Sequence, residues 1–558
     1  MMAGQGAGEA LRAYAKMHRE FKWEVPEHYN FGFEVVDRWA ADRTKLALLS
    51  VEEQGQNPDY LTFYELSRRS NRFANLLRGL GVARGERALI ILQSIPPWYV
   101  AMIGMFKLGV VPMPGTVLLT AKDIAYRLNR AEASLVITDL EHAERVEQAL
   151  AECPSLRLKI LVDGQRPGWE SYDALLEAAS PELDPAELPP TRSDEPMLLY
   201  FTSGTTGQPK MVLHTHAYPL GHQVTAGYCQ GLQPTDLHWT VSETGWAKAA
   251  WGKLFGQMMI GAAILQRHAP GRFDPQAVLS ILERYGVTTF CAPPTVYRML
   301  IQQDLSGYRL SLRHCLSAGE PMNPEVIKVW KDAFGLDIYD FYGQTETVAI
   351  LSNHPSLPLK YGSVGLPTPG HDVRVVDEEG KEVGPGVEGN IAMHLGGVRP
   401  PGLLKEYWQD PGAMNLSFRG EYYFTGDRAM RDADGYFWFV GRNDDIIKSS
   451  GYRIGPFEVE SALIEHPAVA ECAVVGAEDP EGVRGILVKA YVVLVAGRRP
   501  SEELTAELQE FVKKTTAPYK YPRLVEYVTE LPKTISGKIL RRGSMPAPAA
   551  ARSSFAPR

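Results

Sequence analysis

The stretch Tyr200-Phe-Thr-Ser-Gly-Thr-Thr-Gly-Gln-Pro-Lys210 packs four hydroxyls (Thr202, Ser203, Thr205, Thr206), two glycines and a lysine into nine residues. The apolar run 197–201 leads into it and 211–213 leads out, so the segment reads as strand, polyphosphate loop, strand. Gly204 and Gly207 allow φ > 0 and bring backbone N–H groups close to an anion. The hydroxyls donate to phosphate oxygens, and Lys210 adds a mobile positive charge. No Gly-Lys-Ser/Thr closes the loop and no helix signal follows at once, so it is not a Walker A loop. A plain polar turn is the competing reading, but a turn does not require this composition.

Outward from this loop, apolar runs alternate with helical periodicity. A helix pattern over 63–84 stops at Gly81 and Gly85, a buried strand follows at 88–92, and a helix over 97–108 leads into 110–113. Short strands are expected at 135–138, 159–162, 263–266, 288–291 and 314–317, which predicts layered α/β with largely parallel sheets. Between about 360 and 440, short strands and Gly/Pro turns predict a small β subdomain. Residues 183–196 read as a surface linker. After 441 comes a compact α+β pattern: helix 456–465, strands 472–475 and 488–495, helix 501–515 and strand 523–528. The expected division is 1–441, a smaller mobile domain over 442–543, and a low-complexity, disordered tail over 544–558.

A chain of 558 residues exceeds one hydrophobic core. Its 58 basic and 66 acidic side chains leave a net charge of −8, which disfavours nucleic-acid binding. Five scattered cysteines show no metal-ligand or redox spacing, which points to a reducing compartment. The N-terminus lacks an apolar signal-peptide core, and the longest apolar stretch, 254–265, is too short to span a bilayer. A cytoplasmic protein is expected, and the sequence permits self-association.

Further segments can complete a nucleotide site. Ser317-Ala-Gly319-Glu320-Pro321 follows a strand, and its small residues let a purine lie against the backbone, although a simple turn before a helix explains it equally well. Asp340-Phe341-Tyr342-Gly343-Gln344-Thr345-Glu346 sets an aromatic face, a hydroxyl and a carboxylate within five residues. Asp427 ends a strand and suits both ribose hydroxyls, and Arg442 suits the ribose or a phosphate. Leu531-Pro-Lys-Thr-Ile-Ser-Gly537-Lys538 offers a lysine on a loop with room to approach.

In this order, over roughly residues 30–543, these motifs resemble the adenylate-forming superfamily, and GYRIGPFEVE (451–460) and TAPYKYPR (516–523) resemble its medium-chain acyl-CoA synthetases. The resemblance implies that a carboxylic acid and ATP form acyl-AMP and pyrophosphate, after which CoA takes the acyl group and AMP leaves. It implies Tyr342 on adenine, Thr345 at the α-phosphate and Glu346 on Mg²⁺; one carboxylate plus substrate phosphates is an adequate Mg²⁺ set. It assigns Lys538 to the charge developing in adenylation, Asp444 to a hinge, Arg453 to ATP, and Ser450, Gly451, Tyr452, Arg484 and Lys520 to CoA. Arg453, Arg484 and Lys520 read equally as solvated charges.

Acetate-specific relatives close the acyl pocket with a tryptophan where this chain has Gly343, so the expectation is a roomier pocket for a medium-chain, branched or benzoate-type acid. Trp246 and Trp251 are placed at its wall, with the core as the alternative. Two rival readings stand: an enzyme loading an acyl group onto a carrier protein, and a non-catalytic ATP or AMP sensor. The combination of Lys538, Glu346 and Asp427 disfavours the sensor.

Overall fold

The computed structural model describes residues 2–202, 209–271, 273–320, 322–442, 445–449, 452–479, 486–516 and 518–532. The chain forms two compact units, one of residues up to 373 together with 394–421, the other of 374–393 together with the chain from 422 onward. The boundary expected at 441/442 falls inside the second unit.

The first unit is built on a nine-stranded sheet in the order Leu366–Pro367, Ala349–Ser352, Ile338–Gly343, His314–Ala318, Thr289–Ala292, Leu237–Thr240, Ala263–Arg267, Leu46–Val51, Asp59–Thr62. Its six inner strands run parallel, and antiparallel strands finish both sides. The inner strands are buried on both faces, which is why they read in sequence as short continuous apolar runs. A second sheet, Val111–Pro114, Arg87–Ile91, Leu135–Thr138, Leu158–Leu161, Glu170–Ser171, is wholly parallel. A third consists of the hairpin Pro196–Thr202 and Lys210–Thr215 with Glu406–Tyr407 along one side.

Local chemistry sets the helix ends. Phe63–Gly79 starts in a capping box between Thr62 and Glu65, and Gly81 follows its end at φ +69°. Pro96–Leu108 begins with proline in its first turn and ends on Gly109 at φ +72°. That helix is apolar all round and almost wholly buried. Its one charge, Lys107, donates to Asp37 Oδ1 and Asn71 Oδ1, both at 2.6 Å, so the ammonium is paired rather than stranded.

In the second unit, Asp372–Val376, Glu388–His394, Tyr422–Arg431 and Phe437–Arg442 lie side by side in the expected small β sheet. Beyond it come the hairpin Ile447–Ser449 and Tyr452–Ile454, then a three-stranded sheet Val469–Glu478, Ile486–Leu494, Leu524–Tyr527. The helices Pro456–Ile464 and Glu502–Thr515 pack on that sheet through Val459, Leu463, Leu508 and Val512.

The expected elements form to within three residues at almost every end, and the first strand of the C-terminal sheet is longer than expected, Val469–Glu478 against 472–475. Two features were not foreseen. A helix spans Met2–Glu20, anchored by Tyr14 Oη donating to Pro367 O at 2.7 Å and by His18 Nε2 at 3.0 Å from His371 O. The 183–196 linker is pinned by Thr191, whose hydroxyl accepts from Asn30 Nδ2 at 3.0 Å and from Arg84 at 2.7 Å.

Gly365 marks how tightly the sheet edge is wound. It sits at φ +89°, and a Cβ there would lie 2.0 Å from the Ser352 carbonyl. Gly365→Ala is expected to destabilise by about 1–3 kcal/mol, read as a lowered unfolding temperature. Gly384→Ala, with nothing within 4 Å of its Cβ position, serves as the neutral control.

Candidate functional site

Parallel pairing puts Ala318 opposite Phe341 and Ser317 opposite Asp340, so the segments that follow these two strands emerge side by side. Crevices at the carboxyl ends of such strands are where open α/β sheets hold ligands. Gly319 leaves its strand at φ +105°, a backbone only glycine takes without strain, and a Cβ there would lie 2.9 Å from Lys248 Nζ. Lys248 donates to Ala318 O and so lies against the segment carrying Gly319 and Glu320. Asp340 accepts from Met322 N at 3.1 Å, which ties the two segments together.

The 342–346 segment is fixed from two further sides. Gln344 N donates to Thr347 Oγ1 at 3.0 Å, closing a turn. His214 Nε2 lies 2.8 Å from Thr345 O. Burial pulls the His214 pKa down to about 3, so the ring is neutral and Nε2 carries the proton that it donates to this carbonyl. The imidazole is stacked on Tyr218 at 3.7 Å between centroids. Leu404 N donates to Glu346 O at 2.7 Å, and Tyr407 Oη donates to Glu346 Oε1 at 3.0 Å. The Tyr407 ring carries Lys210 Nζ above it at 5.0 Å. Lys210 pairs across the hairpin with Thr202, so these two residues flank the segment 203–209. Hence Thr202, Lys210, Gly319, Glu320 and 340–346 gather in one unit, while Ser203, Gly204, Thr205, Thr206, Gly207 and Pro321 lie outside the described residues.

Among the described residues no group of three or more His, Cys, Asp or Glu side chains could hold a metal ion. A cation at Glu346 would therefore complete its shell with oxygens from a bound phosphate and from water, a donor set that suits Mg²⁺.

Two of the residues expected at the acyl pocket adjoin each other. A Cβ on Gly343 would lie 2.5 Å from Trp251 Cη2 and 2.2 Å from Val348 O, so only glycine admits the indole at this distance. Trp251 is buried in the main core and tilted on Phe341 at 6.2 Å. Trp246 is half-buried, its Nε1 donating to Glu243 Oε2 at 2.9 Å while Glu243 Oε1 accepts from Val117 N at 2.8 Å.

In the second unit, Asp427 stands opposite Arg442 on paired strands, with Arg442 Nε 3.8 Å from Asp427 Oδ1. Arg453 and Tyr452 lie on a strand whose backbone pairs with Lys448 and Ser449. Lys520 forms an ion pair with Glu458. Asp444, Ser450, Gly451, Arg484 and Lys538 lie outside the described residues.

Sequence reasoning missed Lys248, His214 and Tyr407. Lys248 had a signal, a lysine inside the apolar helix Ala247–Lys253. Tyr407 and His214 had none, because their partners are 61 and 131 residues away in the chain.

Lys210, Tyr407 and Glu346 thus form one chain of contacts, in the unit whose paired strands lead into Gly319 and Gln344. Residues 35–408 match the family of AMP-binding enzymes, and 458–538 match the AMP-binding enzyme C-terminal domain. The chain is 46% identical over 540 residues to acyl-coenzyme A synthetase ACSM3, mitochondrial, of Mus musculus, covering 95% of this chain and 92% of that protein. It is 46% identical over 529 residues to ACSM4, mitochondrial, of Homo sapiens, covering 93% and 90%. The solved anthranilate CoA ligase AuaEII in complex with anthranoyl-AMP superposes with a TM-score of 0.83 at 32% identity, covering 92% of this chain and 96% of that one. The benzoate CoA ligase of Burkholderia xenovorans LB400 superposes at 0.81 and 30%, covering 92% and 98%. The chain belongs to the AMP-binding enzyme family, and it is an acyl-CoA synthetase, an AMP-forming acid–thiol ligase.

Burial pushes the Asp340 carboxyl up to about 8, against the pull of the Met322 N–H and the nearby Lys248 charge. Its folded value thus exceeds the unfolded one of about 3.9. The associated stability is complete below about pH 4 and is lost as pH rises through about 8. Asp340→Asn, which mimics the protonated form, should raise the unfolding temperature relative to the parent protein at about pH 9 and leave it unchanged near pH 4. Equal shifts at both values would remove the titration argument.

Proposed function

We propose that this synthetase activates a medium-chain, branched or benzoate-type acid, using Mg²⁺-bound ATP, and transfers the acyl group to CoA. The observation that carries the site assignment is the chain of contacts from Lys210 through Tyr407 to Glu346, with Thr345 and Glu346 on the segment that follows the strand paired to Ser317 and Ala318. Two structural neighbours, an anthranilate CoA ligase and a benzoate CoA ligase, both act on aromatic acids and support the acid class.

In the proposed first step an oxygen of the acid's carboxylate attacks the α-phosphorus, and pyrophosphate leaves with the bonding electrons. Tyr342 packs on adenine against Gly319, Glu320 and Pro321, within the segment from Asp340 through Phe341, Gly343 and Gln344. Asp427 and Arg442 take the ribose and Arg453 a phosphate. Thr345 donates to the α-phosphate, and Lys538 meets the charge that builds on the shared oxygens. Glu346 would hold Mg²⁺ with phosphate oxygens; when bound, the ion offsets the charge of the departing pyrophosphate.

In the second step the CoA sulfur attacks the acyl carbon and AMP leaves. A thiol of pKa about 8.5 is a few per cent ionised at neutral pH, which suffices without a dedicated base. Residues 442–543 turn about Asp444 between the steps, bringing Ser450, Gly451 and Tyr452 to the pantetheine, with Arg484 and Lys520 at CoA phosphates. Lys520 must then leave Glu458 to bind CoA. All five cysteines are free and buried, which supports a reducing compartment, and we assign the cytoplasm, although the ACSM3 and ACSM4 relatives are mitochondrial proteins.

Pyrophosphate release with hexanoate, benzoate and acetate, each with and without CoA, tests the reading. Release with hexanoate or benzoate well above acetate is expected, and acetate preference would overturn the acid class. Lys538→Ala should abolish acyl-AMP formation, a loss of at least about 100-fold, yet spare thioester formation from supplied acyl-AMP. Asp444→Pro should slow the second half-reaction more than the first, and equal effects on both would argue against the hinge.

A further inference from the structure

Tyr407 stands out because it touches both charged groups of the proposed phosphate site and no motif announces it. It is 4% exposed, far too buried to reach a ligand directly. Its backbone is fixed on three counts. The strand Glu406–Tyr407 pairs with Lys210–Thr215, setting Tyr407 opposite Val212. Tyr407 N lies 3.2 Å from Met414 Sδ, and Trp408 N donates to Met211 O at 2.8 Å. From this seat the phenol hydroxyl reaches Glu346 Oε1 at 3.0 Å while the ring face carries the Lys210 ammonium at 5.0 Å. Leu404, three residues before Tyr407, holds the Glu346 backbone through its N–H at 2.7 Å.

One rigid side chain thus sets the position of an anion and a cation. A hydroxyl donating to one carboxylate oxygen restricts the orientation of Glu346, and hydrogen bonds to a metal ligand from behind it tune its hold on the ion. The ring face attracts the ammonium through its quadrupole and keeps the lysine stem over the strand. An aromatic spacer also keeps the two opposite charges from collapsing onto each other.

We propose that Tyr407 is a positioning residue that holds Glu346 for the cation and Lys210 for the phosphates. The inference rests on the reading of Glu346 and Lys210 given above. It separates the two parts of the side chain: the hydroxyl serves the metal ligand and the ring serves the lysine.

Two variants test this by equilibrium binding, independently of turnover. ATP binding is titrated calorimetrically at increasing Mg²⁺, and again in EDTA without metal. Tyr407→Phe keeps the ring and removes the hydroxyl. It should raise the Mg²⁺ concentration for half-maximal ATP binding by about 10-fold or more, with metal-free ATP affinity unchanged. Tyr407→Leu removes both features and should weaken metal-free ATP binding as well. In pyrophosphate release, Tyr407→Phe should raise KM for MgATP at low Mg²⁺ and regain the parent value at saturating Mg²⁺. An unaltered Mg²⁺ titration in Tyr407→Phe overturns the proposal, as does an equal loss of affinity with and without metal. Tyr407→Phe alone decides the matter if Tyr407→Leu does not fold. Failure of the parent protein to bind MgATP would instead sink the assignment of the site itself.

Discussion

Parallel register between His314–Ala318 and Ile338–Gly343 is the constraint from which the candidate site follows. Pairing Ala318 with Phe341 brings Gly319, where the first strand ends, beside Tyr342, which the second strand still holds in the sheet opposite Leu351. A slip of one residue would turn Asp340 and Tyr342 to the opposite face. Register of this kind is held by burial on both faces. Cys315, Leu316 and Ile338 are fully buried, and Phe341 is nearly so. The carboxyl edge is therefore positioned by the core, not by the loops that decorate it.

The loops add polar ties that bulk packing could not supply. His214 to Thr345, Leu404 and Tyr407 to Glu346, and Met322 to Asp340 each join segments distant in the chain. Such groups are costly to bury unless satisfied. Asp340 shows the cost: one carboxyl oxygen has a donor, the other is buried without a partner, and the group resists ionisation. Stability is thus spent locally to tie this segment to the one that carries Met322.

Much of the architecture was readable from residue order. Helix Pro96–Leu108 and strand His314–Ala318 announce themselves by apolar runs of the right length and by glycine or proline at an end, and strand Leu135–Thr138 by its apolar run alone. The helix Met2–Glu20 did not, because its carbonyl partners at Pro367 and His371 lie more than three hundred residues away. Gly343 shows where a local reading ends. The absence of a side chain was visible, but its neighbour was not, and the neighbour is Trp251.

The sequence by itself determined which elements form and which residue types could meet a nucleotide, since periodicity, turn chemistry and loop composition are local properties. Only the tertiary structure decided which groups share a position. Lys210 above Tyr407, Tyr407 on Glu346 and Trp251 against Gly343 are contacts across the chain. They arise because packing brings distant segments together, and no local pattern encodes the separation that packing closes.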